Sequence, residues 1–373
     1  MITVEQLHQL LAFGVKNGAS DIHLKVDEPP AFRLAGGLLP VKSEALNKES
    51  MAEMVRLLLP TEELRGQMDT IFDFDGSYEI AGLARFRLNI YRQKGSFAVV
   101  MRIIKNSVPP LEKLGLPQSV QRITEFERGL VLVTGATGSG KTTTLAAIIN
   151  HINQTRRAHI LTLEDPIEII YPKGQSTISQ REIGSDSKSF ANALKSALRQ
   201  DPDVILIGEM RDQETIDSAL KASETGHLVF ATVHTTDAMR TIGRLLSVFP
   251  SEAQPMIRQR LADTLQATVS QRLLTSADKK ERVLAAEIMF CTSIIQDCIR
   301  DASKTGQIKN FIEEGYVNSG MQTFDQHLAR LLASGKISRD VALDAATSRS
   351  DFLRNLNNES GESSAGIEIE RGE

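Results

Sequence analysis

One stretch in the second third of the chain has the residue types and spacing that bind phosphate. An apolar run, Leu130-Val-Leu-Val-Thr134, leads into Gly135-Ala-Thr-Gly-Ser-Gly-Lys141-Thr142, and a helix-forming segment follows. This is the P-loop pattern G-x-x-x-x-G-K-[ST] between a predicted strand and a predicted helix. Its glycines let backbone N–H groups turn onto phosphate oxygens, and the helix N-terminus adds partial positive charge. The alternative, a glycine turn that binds nothing, is disfavoured by the strand and helix on either side.

The pattern predicts an ATP site with Mg²⁺ as its metal. Lys141 is expected to reach the β- and γ-phosphates, and the Thr142 hydroxyl is expected to ligate Mg²⁺. The predicted nucleotide-binding residues are Gly135, Ala136, Thr137, Gly138, Ser139, Gly140, Lys141, Thr142 and Thr143.

Two groups of carboxylates follow predicted strands, at the sheet edge where open α/β folds bind ligands. Glu164, Asp165 and Glu168 follow the strand predicted over 159–163, and one of them can orient the attacking water of a hydrolysis. The alternative for this group is a solvated acidic turn. Glu209 follows an apolar strand that starts after Asp203, which indicates a Walker B acid holding Mg²⁺ through water. Asp203 is expected to be a cap or turn residue.

A histidine and several arginines complete the candidate site. His234 follows the strand predicted over 228–233 and is predicted to sense the γ-phosphate, whereas His227 precedes that strand and is expected to be structural. A guanidinium can stabilise charge on a transferring phosphoryl group, often from a neighbouring subunit. Spacing does not decide which arginine takes that role, and Arg87 is named as one possible candidate. Any one of these arginines could instead be a surface or ion-paired residue: Arg85, Arg87, Arg92, Arg199, Arg211, Arg240 and Arg244.

The elements that must position these residues alternate between strand and helix, as a parallel α/β sheet requires. Strands are predicted over 130–134, 159–163, 204–207 and 228–233, with helices over 142–153, 188–199, 212–224 and 238–247. A helix is predicted over 256–270, a strand over 283–289, and further helices to about residue 355. The fold class is therefore α/β, with a helical C-terminal region.

The rest of the chain divides around this ATPase domain. Residues 1–104 predict a small α+β domain with an antiparallel sheet, and the proline-rich segment 105–118 is expected to be a linker. The ATPase domain spans 119–355, and the glutamate-rich residues 356–373 are expected to form a disordered acidic tail.

Composition excludes several classes of protein. Of 373 residues, 41% are hydrophobic and 24% are charged, as in a globular chain, and the net charge of −4 disfavours a general nucleic-acid binder. Cys291 and Cys298 fit neither a zinc motif nor a disulfide framework. With no signal peptide and no long apolar run, the protein is expected to be soluble and cytoplasmic.

Four stretches together resemble one known family, the type II/type IV secretion ATPases, and within it the twitching-motility retraction ATPases of the PilT and PilU type. They match its Walker A, Asp box, Walker B and His box in order: Gly135 to Thr143, Leu163-Glu-Asp-Pro-Ile-Glu168, Arg199 to Asp212 and Gly226 to His234. The resemblance implies a PAS-like N-terminal domain, a RecA-like ATPase domain and a homo-hexameric ring with ATP near subunit boundaries. By the same match, Glu168 is the catalytic carboxylate, Glu209 the Walker B acid and His234 the His-box residue.

The resemblance also implies partners and a location. A retraction motor acts at the inner face of the cytoplasmic membrane, at the pilus base, on an integral platform protein (PilC-like), sometimes with a paralogous motor ATPase. The chain lacks the tetracysteine insert of assembly ATPases, which favours retraction. Its segment Asp297-Cys-Ile-Arg-Asp-Ala-Ser303 keeps only Ile299 and Arg300 of a helix typical of PilT.

Three alternatives to a retraction motor remain open at this point. The chain could be a PilU-like accessory subunit whose own turnover is dispensable, or a pilus or secretion assembly ATPase. A nucleic-acid translocase or recombinase is the third, and the net charge, the four tyrosines and the absence of tryptophan argue against it.

Overall fold

The structure is a computed structural model that describes residues 2–34, 36–104 and 107–362. It divides into two compact units. The first contains residues up to Val108 together with two later segments, Asp165–Pro172 and Glu182–Lys188, and the second contains the remainder. Lys105 and Asn106 of the predicted linker and residues 363–373 of the predicted tail lie outside the described residues.

The N-terminal unit is built on a six-stranded antiparallel sheet in the order β3-β2-β1-β6-β5-β4. Side chains alternate between its faces, so that Phe86, Leu88 and Ile90 are fully buried in the core while Arg87 on the same strand is exposed. Its strands are β1 (Asp21–Lys25), β2 (Ala31–Leu34), β3 (Gly37–Pro40), β4 (Asp73–Ile80), β5 (Ala84–Gln93) and β6 (Ser96–Ile103). Its helices are α1 (Val4–Lys16), α2 (Lys48–Leu58) and α3 (Glu62–Gly66), with a 3₁₀ turn at Met68–Thr70.

The second unit is built on a seven-stranded sheet in the order β13-β12-β7-β11-β10-β8-β9. The five strands from β12 to β8 in that order pair in parallel, and β13 is antiparallel to β12. The strands are β7 (Gly129–Thr134), β8 (His159–Glu164), β9 (Thr177–Glu182), β10 (Val204–Ile207), β11 (Leu228–Val233), β12 (Leu265–Thr275) and β13 (Arg282–Phe290). The last residue of β9, Glu182, belongs to the N-terminal unit.

Helices connect these strands and form the C-terminal region. Every residue of β7, β10 and β11 is buried, as expected for strands covered by helices on both faces. The helices are α4 (Lys141–Thr155), α5 (Phe190–Ala197), α6 (Gln213–Glu224), α7 (Ala238–Ser247), α8 (Gln254–Thr264), α9 (Ser293–Arg300), α10 (Ile308–Glu314), α11 (Tyr316–Ser319), α12 (Phe324–Ala333), α13 (Arg339–Ala345) and α14 (Arg349–Glu362). The 3₁₀ turns are Leu111–Leu114, Gln118–Glu125 and Thr305–Gln307.

Two predictions of local structure were wrong. The helix predicted over 256–270 ends at Thr264, and Leu265 begins β12, whose backbone pairs with both β7 and β13. Pairing on both sides of a buried strand outweighs the helical spacing of its apolar residues. The tail predicted from residue 356 overlaps α14, because Phe352 and Leu356 pack on the C-terminal helices and extend that helix to Glu362.

No described helix combines the length and apolar character that crossing a bilayer requires.

Candidate active site

The phosphate loop joins the carboxyl end of β7 to the first turn of α4, and its glycines are required by geometry. Gly135 has φ +145°, and a Cβ on it would lie 2.4 Å from Ser139 Oγ and 2.5 Å from the Gln271 carbonyl oxygen. Gly140, which caps α4, has φ +91°, a conformation that side-chain-bearing residues rarely adopt. These positions turn the loop back on itself ahead of the helix N-terminus, as anion binding there requires.

Lys141 extends back across this loop. Its side chain is 7% exposed, and Nζ donates hydrogen bonds of 2.9 Å to the carbonyl oxygens of Gly135 and Ala136. Burial lowers the pKa of Lys141, and the Glu209 carboxylate opposes that shift. The ammonium group is therefore held at the loop, within electrostatic reach of the predicted Walker B acid.

Glu209 and His234 lie together beyond the ends of neighbouring strands β10 and β11. The Glu209 carboxylate is 3.5 Å from His234 Nε2 and 2.7 Å from the Arg211 guanidinium. Two hydrogen bonds hold these strand ends in register: Thr232 Oγ1 donates to the Gly208 carbonyl at 2.5 Å, and the Met210 N–H donates to the Thr232 carbonyl at 3.1 Å. The structure thus brings together Lys141, Glu209 and His234.

The His234 imidazole is kept neutral near neutral pH. Burial lowers its pKa, and the Lys141 cation lowers it further, while the Glu209 carboxylate acts in the opposite direction. A neutral imidazole presents one N–H donor and one acceptor nitrogen. It can therefore donate to a phosphate oxygen without adding a second full positive charge beside Lys141.

The phosphate loop offers a hydrogen-bond donor that fits an anionic ligand. The Ser139 hydroxyl is buried and has no hydrogen-bond partner among the residues that the structure describes, so it is available to donate to an anion. Thr142 is exposed and Thr143 half-buried at the start of α4. Across the described ranges, no cluster of three or more His, Cys, Asp or Glu side chains could hold a metal by itself.

The three carboxylates at the end of β8 and just after it have different surroundings. Glu164 is 8% exposed and accepts hydrogen bonds from Thr162 Oγ1 at 2.6 Å and Gln180 Nε2 at 3.1 Å, which makes it a structural group. Asp165 and Glu168 are exposed. Both lie in segment Asp165–Pro172, which belongs to the N-terminal unit, whereas Lys141, Glu209 and His234 belong to the second unit.

The candidate arginines also separate. Arg87 is exposed on β5, whereas Arg85 on the same strand bonds to three side chains and Arg92 donates to three backbone carbonyls. Arg211 is paired with Glu209, and Arg240 with Asp237. Arg87 therefore has the exposure that contact with a neighbouring subunit needs.

Asp203 and His227, which were predicted to be structural, make hydrogen-bond contacts at the starts of strands. The Asp203 carboxylate accepts a 2.8 Å hydrogen bond from the His159 N–H at the start of β8. His227 Nδ1 lies 3.0 Å from the Ala222 carbonyl oxygen and 3.2 Å from Thr225 Oγ1, before β11 rather than after it.

The sequence did not predict the residues that support the phosphate loop from β12 and β13. Gln271 Nε2 donates to Thr144 Oγ1 at 2.7 Å, and Thr134 Oγ1 donates to Ser270 Oγ at 3.0 Å. Beside the loop, residues 136–139 and Arg272 line a cavity of about 270 Å³. These residues carry no motif. Gln271 and Ser270 could have been identified from sequence if residues 265–275 had been predicted to be a strand that pairs with β7.

Glu287 on β13 continues this network. It is 5% exposed, and its Oε1 accepts a 2.8 Å hydrogen bond from the Ala238 N–H at the start of α7, four residues after His234. Ser270 Oγ lies 3.5 Å from the same oxygen. Burial raises the pKa of Glu287 to about 7, Asp237 adds to the shift, and the Ala238 N–H, Arg272 and Lys309 oppose it.

The raised pKa of Glu287 makes stability depend on pH. The folded protein holds this proton more tightly than the unfolded chain. Protonation of Glu287 therefore contributes its full stabilisation of the folded state below the ordinary pKa of 4.5, and this stabilisation is lost as pH rises through about 7. A shift of this size corresponds to roughly 3 kcal/mol. Glu287→Gln, which keeps the acceptor and removes the charge, should be more stable than wild type at pH 8.5 and similar to it at pH 4.5. Denaturant unfolding at both pH values measures this.

Glu314→Gln, which removes an exposed carboxylate, is the matched control for that experiment. It should leave the difference in unfolding free energy between the two pH values as in wild type. An unchanged difference in Glu287→Gln would show that Glu287 is not the group responsible.

Known proteins resemble this chain along most of its length. The family model described as "Type II/IV secretion system protein" matches residues 2–309. The chain is 43% identical over 344 residues to the type IV pilus retractation ATPase PilT of Pseudomonas aeruginosa, covering 92% of this chain and 99% of that protein. It is 36% identical over 347 residues to the type IV pilus ATPase PilU of the same organism, covering 93% of this chain and 90% of PilU.

A solved structure agrees in fold over the same extent. The crystal structure of the pilus retraction motor PilT with bound ADP superposes with a TM-score of 0.85 at 39% identity, covering 95% of this chain and all of that one. The chain therefore shares its α/β architecture with a protein whose structure contains a bound nucleotide.

Proposed function

This chain belongs to the type II/IV secretion system protein family, and we propose that it is the hexameric ATPase motor that retracts type IV pili. The observation that carries the proposal is similarity to PilT along almost the full length of both proteins. The grouping of Lys141, Glu209 and His234 at the phosphate loop supports ATP hydrolysis as its chemistry.

Residues 135–143 bind ATP in this proposal. The backbone N–H groups of the loop and the buried Ser139 hydroxyl contact phosphate oxygens, and Lys141 neutralises charge on the β- and γ-phosphates. Thr142 and, through water, Glu209 hold Mg²⁺, which supplies positive charge to the same oxygens when bound.

Hydrolysis then depends on groups placed around the γ-phosphate. Glu168 orients and polarises the attacking water, because an exposed carboxylate can accept its proton. The neutral His234 imidazole donates a hydrogen bond to the γ-phosphate. Because His234 also lies 3.5 Å from the Glu209 carboxylate, loss of the γ-phosphate changes the surroundings of Glu209. Arg87, exposed on the N-terminal sheet, stabilises developing charge in a neighbouring subunit of the ring.

The location and partners follow from the same proposal. The ring acts at the inner face of the cytoplasmic membrane on a platform protein of the PilC type, and ATP hydrolysis moves the two units of each subunit to drive the platform. A nucleic-acid partner is not part of the proposal, because the net charge of −4 offers no general attraction for phosphate backbones.

A deletion strain tests the direction of the motor. Cells lacking the chain should carry excess pili and fail to twitch, because fibres that extend are not withdrawn. Piliation is counted by electron microscopy and twitching on agar. Bald cells would instead indicate an assembly ATPase.

The second candidate is a PilU-like accessory subunit, favoured by 36% identity along nearly all of PilU. In that case ATP turnover by this chain is dispensable while a paralogue supplies the force. Complementing the deletion with a Lys141 variant, in cells that keep the paralogue, separates the two candidates.

A further inference from the structure

The N-terminal unit contains a buried carboxylate, Glu182, close to the segment that carries Glu168. It is 3% exposed and lies at the end of β9, in segment Glu182–Lys188. Its N–H donates to the Asp186 carboxylate at 2.8 Å, and the Asp186 N–H donates back to the Glu182 carbonyl at 2.9 Å. Gly184, with φ +95°, closes this short turn by donating to the Ser187 carbonyl at 2.8 Å. The backbone around Glu182 is thereby fixed by local hydrogen bonds.

Arg85 from β5 neutralises this buried carboxylate. Arg85 Nη2 donates hydrogen bonds to Glu182 Oε2 at 2.9 Å and to Ser77 Oγ at 2.8 Å. Arg85 Nη1 donates to the Glu79 carboxylate at 3.0 Å. The neighbouring residues Ala84 and Phe86 are buried in the sheet, which restricts where Arg85 can reach. An ion pair of this kind holds its geometry because each buried charge would be costly without the other.

The same Glu182 oxygen contacts the segment that carries the proposed catalytic carboxylate. Oε2 accepts a 3.2 Å hydrogen bond from the Ile167 N–H, and the Ile167 side chain is 3% exposed. Glu168 is the next residue and its side chain is exposed. Ile167 therefore anchors the backbone immediately before Glu168 through both its side chain and its N–H.

We propose that Arg85 and Glu182 are positioning residues for Glu168, and that they fasten the water-orienting carboxylate to the sheet of the N-terminal unit. This inference rests on the proposed role of Glu168 in hydrolysis. Lys141, Glu209 and His234 belong to the other unit.

Glu182→Met tests the proposal, because it keeps the length of the side chain and removes both charge and acceptor. Misplacing a reacting group by about 1 Å costs roughly 100-fold in rate, so kcat for ATP should fall by about that factor. The Kd of a fluorescent ATP analogue should stay near the wild-type value, because the phosphate loop is untouched. Glu182→Gln keeps an acceptor for the Ile167 N–H and should retain more of the wild-type kcat than Glu182→Met.

Asp21→Leu is the matched control. Asp21 is a carboxylate of the same unit, 5% exposed and 2.9 Å from Arg102, but it lies on β1, where its other side-chain partners are Ser20 and Arg33. Its loss should lower the melting temperature as Glu182→Met does, with kcat within about twofold of wild type. An equal loss of kcat in both variants would mean that reduced stability, and not position, slows hydrolysis.

A double-mutant cycle shows whether Glu182 acts through Glu168. In the Glu168→Gln background the group to be positioned is gone, so Glu182→Met should cause no further loss of kcat. A loss of the same factor in both backgrounds would overturn the inference and leave the proposed function standing. Unchanged kcat in Glu168→Gln alone would instead remove the proposed role of Glu168. If Glu182→Met does not fold, the cycle is run with Glu182→Gln and the same outcomes decide it.

Discussion

Lys141→Ala should reduce ATP hydrolysis by about 100- to 1,000-fold, the cost of removing one preorganised charge from a site of this kind. Lys141 is held across the phosphate loop by the carbonyl groups of Gly135 and Ala136, and burial keeps water away from its ammonium group. Alanine leaves the β- and γ-phosphate charge uncompensated, so nucleotide binding should weaken as well. Phosphate release and the Kd of a fluorescent ATP analogue measure the two effects.

The chain offers a matched control in Lys195 on α5, whose exposed ammonium group pairs with Glu214. Lys195→Ala removes the same charge away from the loop and should leave hydrolysis within about twofold of wild type. Hydrolysis by a folded Lys141→Ala protein at the wild-type rate would exclude this loop as the ATP site.

Glu168→Gln should lower kcat by roughly 100- to 1,000-fold while nucleotide binding is retained. Glutamine keeps the size of the side chain but cannot accept a proton from the attacking water. Glu168 is exposed and lies outside the phosphate loop, so the ground-state contacts of ATP remain. Single-turnover hydrolysis and equilibrium binding, measured on the same preparation, separate the two steps.

Asp165→Asn is the comparison for Glu168→Gln, because both residues are exposed in the same segment. It should cost less than about fivefold in kcat, since only the residue that orients water makes a large difference. If Glu168→Gln loses nucleotide binding, or if Asp165→Asn causes the greater loss of kcat, Glu168 is not the water-orienting group.

The parallel sheet and its phosphate loop could be predicted from sequence because their signals are local. The strands β7, β10 and β11 are nearly continuous apolar runs and β8 has an apolar centre, and the spacing of glycines around Lys141 is dictated by backbone geometry within eight residues. The same reasoning led to Glu209 and His234, since Glu209 lies two residues after one recognisable strand and His234 directly after another.

The parts that could not be predicted depend on contacts between distant residues. β12 has a helical spacing of apolar residues, and only its pairing with β7 and β13 decides its conformation. Arg85 and Glu182 are 97 residues apart in the chain, and neither belongs to a spacing pattern that would relate them. For that reason the sequence placed Glu168 within the ATPase domain, whereas the structure groups its segment with the N-terminal unit.

Retraction of individual fibres tests the central claim most directly. Labelled pili are followed by fluorescence microscopy in a deletion strain that expresses either the wild-type chain or Lys141→Ala, with any paralogous motor still present. We expect fibres to extend in both strains and to retract only with the wild-type chain. Retraction at the wild-type frequency in Lys141→Ala cells would contradict the claim that ATP hydrolysis by this chain retracts the pilus.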